Sequence, residues 1–324
     1  MAYPKQLSVV LLLPTVLISF VAFVLAMIAL LAGTGSQQTA LEPYHIIAVN
    51  LSNFGQDLIP TKTSSGDSKP SETSGSSWLD SIIDGAEDLG QDIGDDITDG
   101  LNNITGGIAD KFIEKLGISE WYSVHILSGC EGMFAPNASE PGAWFNLTNC
   151  TAPQAGFKLN LSEILDYEIK AGPLKLNLNQ LPIPDDVQNS VDTANDALFA
   201  LLVLYSLASA LAGLSFLLSL AVIILLRKKV TKPVIWGNVT IASLGTLVLL
   251  IGSAIITYIN NKAIAQINAS GKDVGITAIR GSKLITLTWI TFALMFILSL
   301  YWGLATSKYS QKWIPGRRSK NVLP

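Results

Sequence analysis

Four stretches of this chain lack any charged side chain and are long enough to cross a bilayer: Leu7 to Leu31, Ala197 to Leu226, Val234 to Ile259 and Leu284 to Ala305. A helix rising ~1.5 Å per residue crosses the ~30 Å hydrocarbon layer in about 20 residues. These runs hold the charged fraction to 14%, where a soluble domain carries roughly 25%. The first run is well beyond the ~7–15 apolar residues of a signal sequence. Although the small residues from Ala32 to Ser36 would suit a cleavage site, an uncleaved anchor is expected.

Charge sets the orientation. Lys5 precedes the first span; Arg227, Lys228, Lys229 and Lys232 join the second to the third; Lys308, Lys312, Arg317, Arg318 and Lys320 follow the fourth. None of these segments contains an acidic residue, and all 25 acidic residues fall in connections 33–196 and 260–283. Basic loops stay on the cytosolic side, so both termini are expected there and both acidic connections outside. Sequons agree with this: Asn50, Asn103, Asn137, Asn146 and Asn160 in the large connection and Asn268 in the small one are candidate glycosylation sites. Asn149 also fits the triplet but has cysteine in its middle position.

The expected order is therefore a cytosolic 1–6, span 7–31, an extracellular domain 32–196, span 197–226, a basic turn 227–233, span 234–259, a short outer loop 260–283, span 284–305 and a basic tail 306–324. Within the outer domain, PTKTSSGDSKPSETSGSS at 60–77 has no aliphatic residue and reads as a flexible linker. Residues 78–117 place apolar or alanine positions at steps of mostly four, opposite Asp80, Asp84, Asp88, Asp92, Asp95, Asp96 and Asp99. That is helical periodicity, broken by glycines into short amphipathic pieces. The acidic stripe lacks the ordered ligand series of a calcium loop and reads as a solvated face. Residues 41–54 suggest a strand, and 121–180 a few antiparallel strands, with leucines alternating at 174, 176 and 178.

Cys130 and Cys150 are the only cysteines, and both fall in the outer domain. Thiols in an oxidising compartment pair, and neither has a competitor. His125 is the one nearby base, with no residue in the sequence marked to orient it. Two histidines and two cysteines in the whole chain leave a zinc site poorly supplied. A structural bridge is the expected role, with redox or metal chemistry the weaker alternatives.

The run WYSVHILSGCEGMF, then AWFNLTNCTAP and GFKLNLSEIL, resembles the outer loop of the fungal SUR7/PalI family, claudin-like four-span plasma-membrane proteins. The residues that carry the resemblance are Tyr122, His125, Gly129, Cys130, Glu131, Gly132, Cys150, Gly156 and Phe157, with Gly281 and Leu284 to Trp289 entering the last span. Animal claudins are less similar: Leu127 stands where their tryptophan would fall. The resemblance implies a claudin-like four-helix membrane bundle carrying a large extracellular α+β domain. It also implies a non-enzymatic organiser of cortical microdomains (eisosomes), linked to wall integrity and endocytosis. A claudin-like ion channel or calcium-influx regulator, a PalI-type pH-response sensor and a surface adhesion protein are the alternatives. The short tail after Thr306 favours the SUR7-like branch.

The spans carry small and hydroxyl residues but no charge, which argues against a pump or transporter. No phosphate loop, nucleophile elbow or HExxH appears, so no catalytic activity and no cofactor are expected. Expected partners are the bilayer, cortical membrane proteins or further copies of the chain, wall polymers, and anionic phosphoinositides at Arg227, Lys228, Lys229, Lys232, Arg317, Arg318 and Lys320. Short membrane-apposed basic patches on a chain of net charge −4 exclude nucleic acid.

Overall fold

The computed structural model describes residues 9–35, 40–53, 119–138, 140, 142–158, 185–225, 232–271 and 275–311. The amphipathic segment, the linker and the alternating leucines lie outside the described residues. So do Asn103, Asn160, Arg227, Lys228, Lys229, Arg317, Arg318 and Lys320.

Four helices dominate: α1 Val9–Leu31, α2 Asp185–Leu225, α3 Lys232–Ser270 and α4 Ser282–Gln311. A 3-10 turn at Glu42–Tyr44 leads into β1 Ile47–Asn50. Then come β2 Trp121–Val124, β3 Gly129–Ala135, β4 Trp144–Cys150 and, between α3 and α4, β5 Thr277–Arg280. The chain divides into two compact units, one comprising Met1–Leu30, Val203–Ala254 and Thr286–Pro324, the other Leu31–Leu202 and Ile255–Ile285.

The helical unit is inside-out by the standard of a soluble protein. Leu17, Leu217 and Leu304 are 63%, 58% and 64% exposed, whereas Thr15, Ser19, Ser215, Ser219, Asn238 and Thr291 are buried. Apolar surfaces out and small or hydroxyl residues in suit lipid as solvent, where close helix approach replaces hydrophobic burial as the cohesive force. All four helices contain a window long and apolar enough to span a bilayer. Their buried positions recur in steps of three and four. On α1 they include Leu12, Thr15, Ser19, Ala22 and Ala26, and on α2 Leu201, Tyr205, Ala208, Ala212, Ser215, Ser219 and Val222, with Ser209 buried beside Ala208. This mean spacing of about 3.5 is that of left-handed helix pairing. Glycine lets neighbours close in: a Cβ at Gly213 would stand 3.1 Å from the Phe23 ring, and one at Gly252 3.1 Å from Tyr205. Trp302 is fully buried, while Trp236 is exposed.

The sheet unit is a five-stranded antiparallel sheet in the order β4-β3-β2-β1-β5. Every residue of central strand β2 is buried, so it is covered on both faces. Trp121, Ile46, Leu51 and Ile126 are its largest fully buried side chains. Because β1 follows α1 whereas β5 joins α3 to α4, the large and small connections share one sheet. They therefore lie on one side of any bilayer the helices cross. Two local boundaries differ from the sequence reading. α2 begins at Asp185, inside the segment expected to belong to the outer domain, rather than at Ala197. The stretch after Ile259 continues as helix to Ser270, where a charged loop was expected. Backbone hydrogen bonding is satisfied more cheaply by extending a helix than by ending it at the apolar boundary.

Candidate functional site

One end of the sheet is built around a cross-strand bridge. Cys130 on β3 and Cys150 on β4 are directly opposed and disulfide-bonded, with Cα atoms 4.0 Å apart. Glycines flank the first cysteine for steric reasons. A Cβ at Gly129 would stand 2.7 Å from the tip of the Phe157 ring, and one at Gly132 would collide with the Asn146 carbonyl and the Trp121 ring. Gly156 has φ +78°, a conformation that favours glycine, and this turn delivers buried Phe157 onto Gly129. Tyr122 is buried on β2 and its hydroxyl accepts the Ser119 N–H at 3.1 Å. Glu131 is half-buried opposite Asn149. The structure thus brings together all nine residues that carried the resemblance.

Beneath the bridge lies a buried acid between the chain's two histidines. Glu42, His45 and His125 are 2%, 4% and 1% exposed. His125 Nε2 is 3.1 Å from Glu42 Oε2, and His45 Nδ1 is 3.7 Å from Glu42 Oε1. A carboxylate only accepts, so His125 donates through Nε2–H. Its other close neighbour is the Ser123 hydroxyl, 3.3 Å away. His45 Nδ1–H donates to the Glu42 backbone carbonyl at 3.0 Å. Burial alone pushes the Glu42 carboxyl up, but the hydrogen bond from His125, with the nearby His45 and Ser123 side chains, outweighs it and lowers the carboxyl to about 2.

Aromatic rings wall this cluster. Phe145 stands edge-on to Trp121 at 4.8 Å and to His45 at 5.7 Å, and Trp121 Nε1–H donates to the Met133 carbonyl at 3.1 Å. The segment that follows α1 is tied into the same cluster. Ser128 Oγ donates to the Gly33 carbonyl at 2.7 Å, and Gly33, with φ +76°, lies so close to His125 that no side chain fits. Among the described residues, the ligand atoms of Glu42, His125 and Cys130 cluster within 4.8 Å. The Cys130 sulfur belongs to the bridge, which leaves two donors where a metal needs three or four. The chemistry on offer is a clamp of charge-assisted hydrogen bonds, without a poised nucleophile or an open coordination position.

β5 is held from its far edge by asparagines of α3. Asn268 Oδ1 accepts the Ala278 N–H at 2.6 Å and its Nδ2 reaches the Ala278 carbonyl at 3.4 Å. Asn261 accepts from Arg280 at 2.6 Å, and Asn260 accepts the Gly281 N–H at 3.1 Å. A Cβ at Gly281 would collide with the carbonyls of His45 and Ile46. Elsewhere, Asn137 and Asn146 are exposed, Asn50 accepts the N–H of Ser52 at 2.8 Å, and Lys232 opens α3. Sequence reasoning missed Glu42, His45, Ser123, Ser128 and the asparagine clasp. The available signal was a lone glutamate beside a histidine in the apolar run LEPYHIIAVNL.

Compared with known families, the chain matches the model described as the SUR7/PalI family over residues 11–301, from the first helix into the fourth. No curated protein and no solved structure matches.

Proposed function

The chain belongs to the SUR7/PalI family of non-catalytic, multi-pass plasma-membrane proteins, and from that membership we propose that it organises cortical membrane microdomains of the eisosome type. In this reading the sheet unit faces the cell wall and carries the link to wall integrity and endocytosis. The basic segments at Arg227, Lys228, Lys229, Lys232, Arg317, Arg318 and Lys320 hold anionic phosphoinositides on the cytosolic side. The observation that carries the reading is the family match running through all four helices and the stapled sheet. Support for the orientation comes from the shared sheet, which joins the two acid-bearing connections, and from the sequence of the remaining segments, which carry basic residues and no acidic ones.

The test is a fluorescent fusion of the full chain in its native fungus, scored for location and for recovery after bleaching. Static peripheral patches with slow recovery are expected, together with loss of patch stability on neutralising the seven basic residues. Uniform, freely recovering peripheral signal would overturn the organiser reading. So would passage of ions through liposomes reconstituted with the purified chain.

A further inference from the structure

We infer that Asn146 carries an N-linked glycan and that Asn268, although it heads an equally good sequon, carries none because its side chain serves as a surrogate strand for β5. The inference rests on the outward orientation proposed above. Asn268 meets both backbone polar groups of one residue, taking the Ala278 N–H on Oδ1 at 2.6 Å and offering Nδ2 to the Ala278 carbonyl at 3.4 Å. Those are the two bonds a neighbouring strand would make. β1 occupies the other edge of β5, so the asparagine closes an edge that would otherwise be open.

Stereochemistry makes this pairing and glycosylation mutually exclusive. To reach both groups of Ala278, the amide must use the Nδ2 hydrogen on the same side as Oδ1. A planar trans amide places its nitrogen substituent at that same position. A sugar on Nδ2 therefore occupies the site of the hydrogen that β5 needs. Attached before folding, it bars β5 from docking. After folding, the nitrogen is already engaged at Ala278. Asn268 is also half-buried, and its helix neighbour Ile267 is 2% exposed.

Asn146 has the opposite surroundings. It is exposed on β4, the strand at the other end of the sheet, with the exposed Trp144 two positions away on the same face. Its strand pairs only with β3 among the described residues. Carbohydrate there projects into solvent and covers a strand edge that has no neighbour among the described residues, which is one way natural sheets avoid pairing between molecules.

The experiment uses the full chain expressed in a fungal host, with gel mobility read before and after endoglycosidase and with site occupancy read by mass spectrometry. Asn146→Gln should lose one mobility step. Ser270→Ala destroys the second sequon without changing Asn268, and should alter neither mobility nor thermal midpoint. Asn268→Gln should leave mobility unchanged while lowering the thermal midpoint in detergent. Loss of a step in Ser270→Ala, or no loss in Asn146→Gln when other steps persist, would overturn the inference. Wild-type protein with no endoglycosidase-sensitive step at all would instead overturn the outward orientation, and this inference with it.

Discussion

His125 and Glu42, 83 positions apart in the chain, meet through a 3.1 Å contact between Nε2 and Oε2 in the interior of the sheet unit. One arrives on the turn after β2 and the other on the 3-10 turn that follows α1. The contact therefore ties the segment leaving the first span to the centre of the sheet.

Removing the acid should be costly. Glu42→Ala leaves buried His125 without its carboxylate acceptor, and stranding a buried donor in this way typically costs about 1–3 kcal/mol. Glu42→Gln keeps an acceptor oxygen and should lose clearly less. Thermal unfolding of detergent-solubilised protein, followed by tryptophan fluorescence, reads the difference. Equal midpoints for wild type and Glu42→Ala would refute the clamp.

The same acid predicts a pH profile. Its carboxyl is lowered in the folded chain from 4.5 to about 2. The unfolded chain therefore binds the proton first as pH falls. The contribution is fully present above about 4.5 and drains away down to about 2, with a ceiling on the order of 3 kcal/mol. Midpoints measured between pH 6 and 2 should fall more steeply below 4.5 in wild type than in Glu42→Gln.

The bridge should behave as a single unit. Cys130→Ser and Cys150→Ser should each cost roughly 3 kcal/mol on the loop-entropy estimate, and the double variant should be no worse than either. Denatured wild-type protein should take up no alkylating reagent before reduction. Two reactive thiols at that stage would contradict the bridge.

Glycine substitutions should split by what they would strike. Gly132→Ala meets a backbone carbonyl and the Trp121 ring, neither of which can yield cheaply. Gly245→Ala meets chiefly the Met295 methyl at 2.7 Å, the far end of a flexible side chain. Gly303→Ala meets nothing within 4 Å. Surface delivery of the three variants should therefore rank 303, then 245, then 132. Gly129→Ala, which strikes Phe157, should be partly rescued by Phe157→Leu.

The helices were legible because length and absence of charge decide a span without any knowledge of packing. Their inward faces were only half legible. Ala208, Ala212 and Ser215 face the interior as small residues should, yet the equally small Ser206, Ala210 and Ala254 are exposed. In a helix that is apolar all round, composition alone cannot rank the faces. The bridge could be read from two cysteines in an outer segment. The strand Thr277–Arg280 could not, because four residues between glycines carry too little periodicity to register. Glu42 escaped notice for a related reason: its partner His125 comes from a distant segment, and only the completed sheet brings them together.

The pairing of Ile47 with Arg280 and of Asn50 with Thr277 also imposes a schedule on biosynthesis. The strand nearest the amino terminus waits for a partner made more than two hundred residues later, after the third span has been threaded. Until then that edge stays unpaired. A ribosome stalled before residue 277 would release a chain with an unfinished sheet, and quality-control machinery that detects bare strand edges could tell it from the complete product.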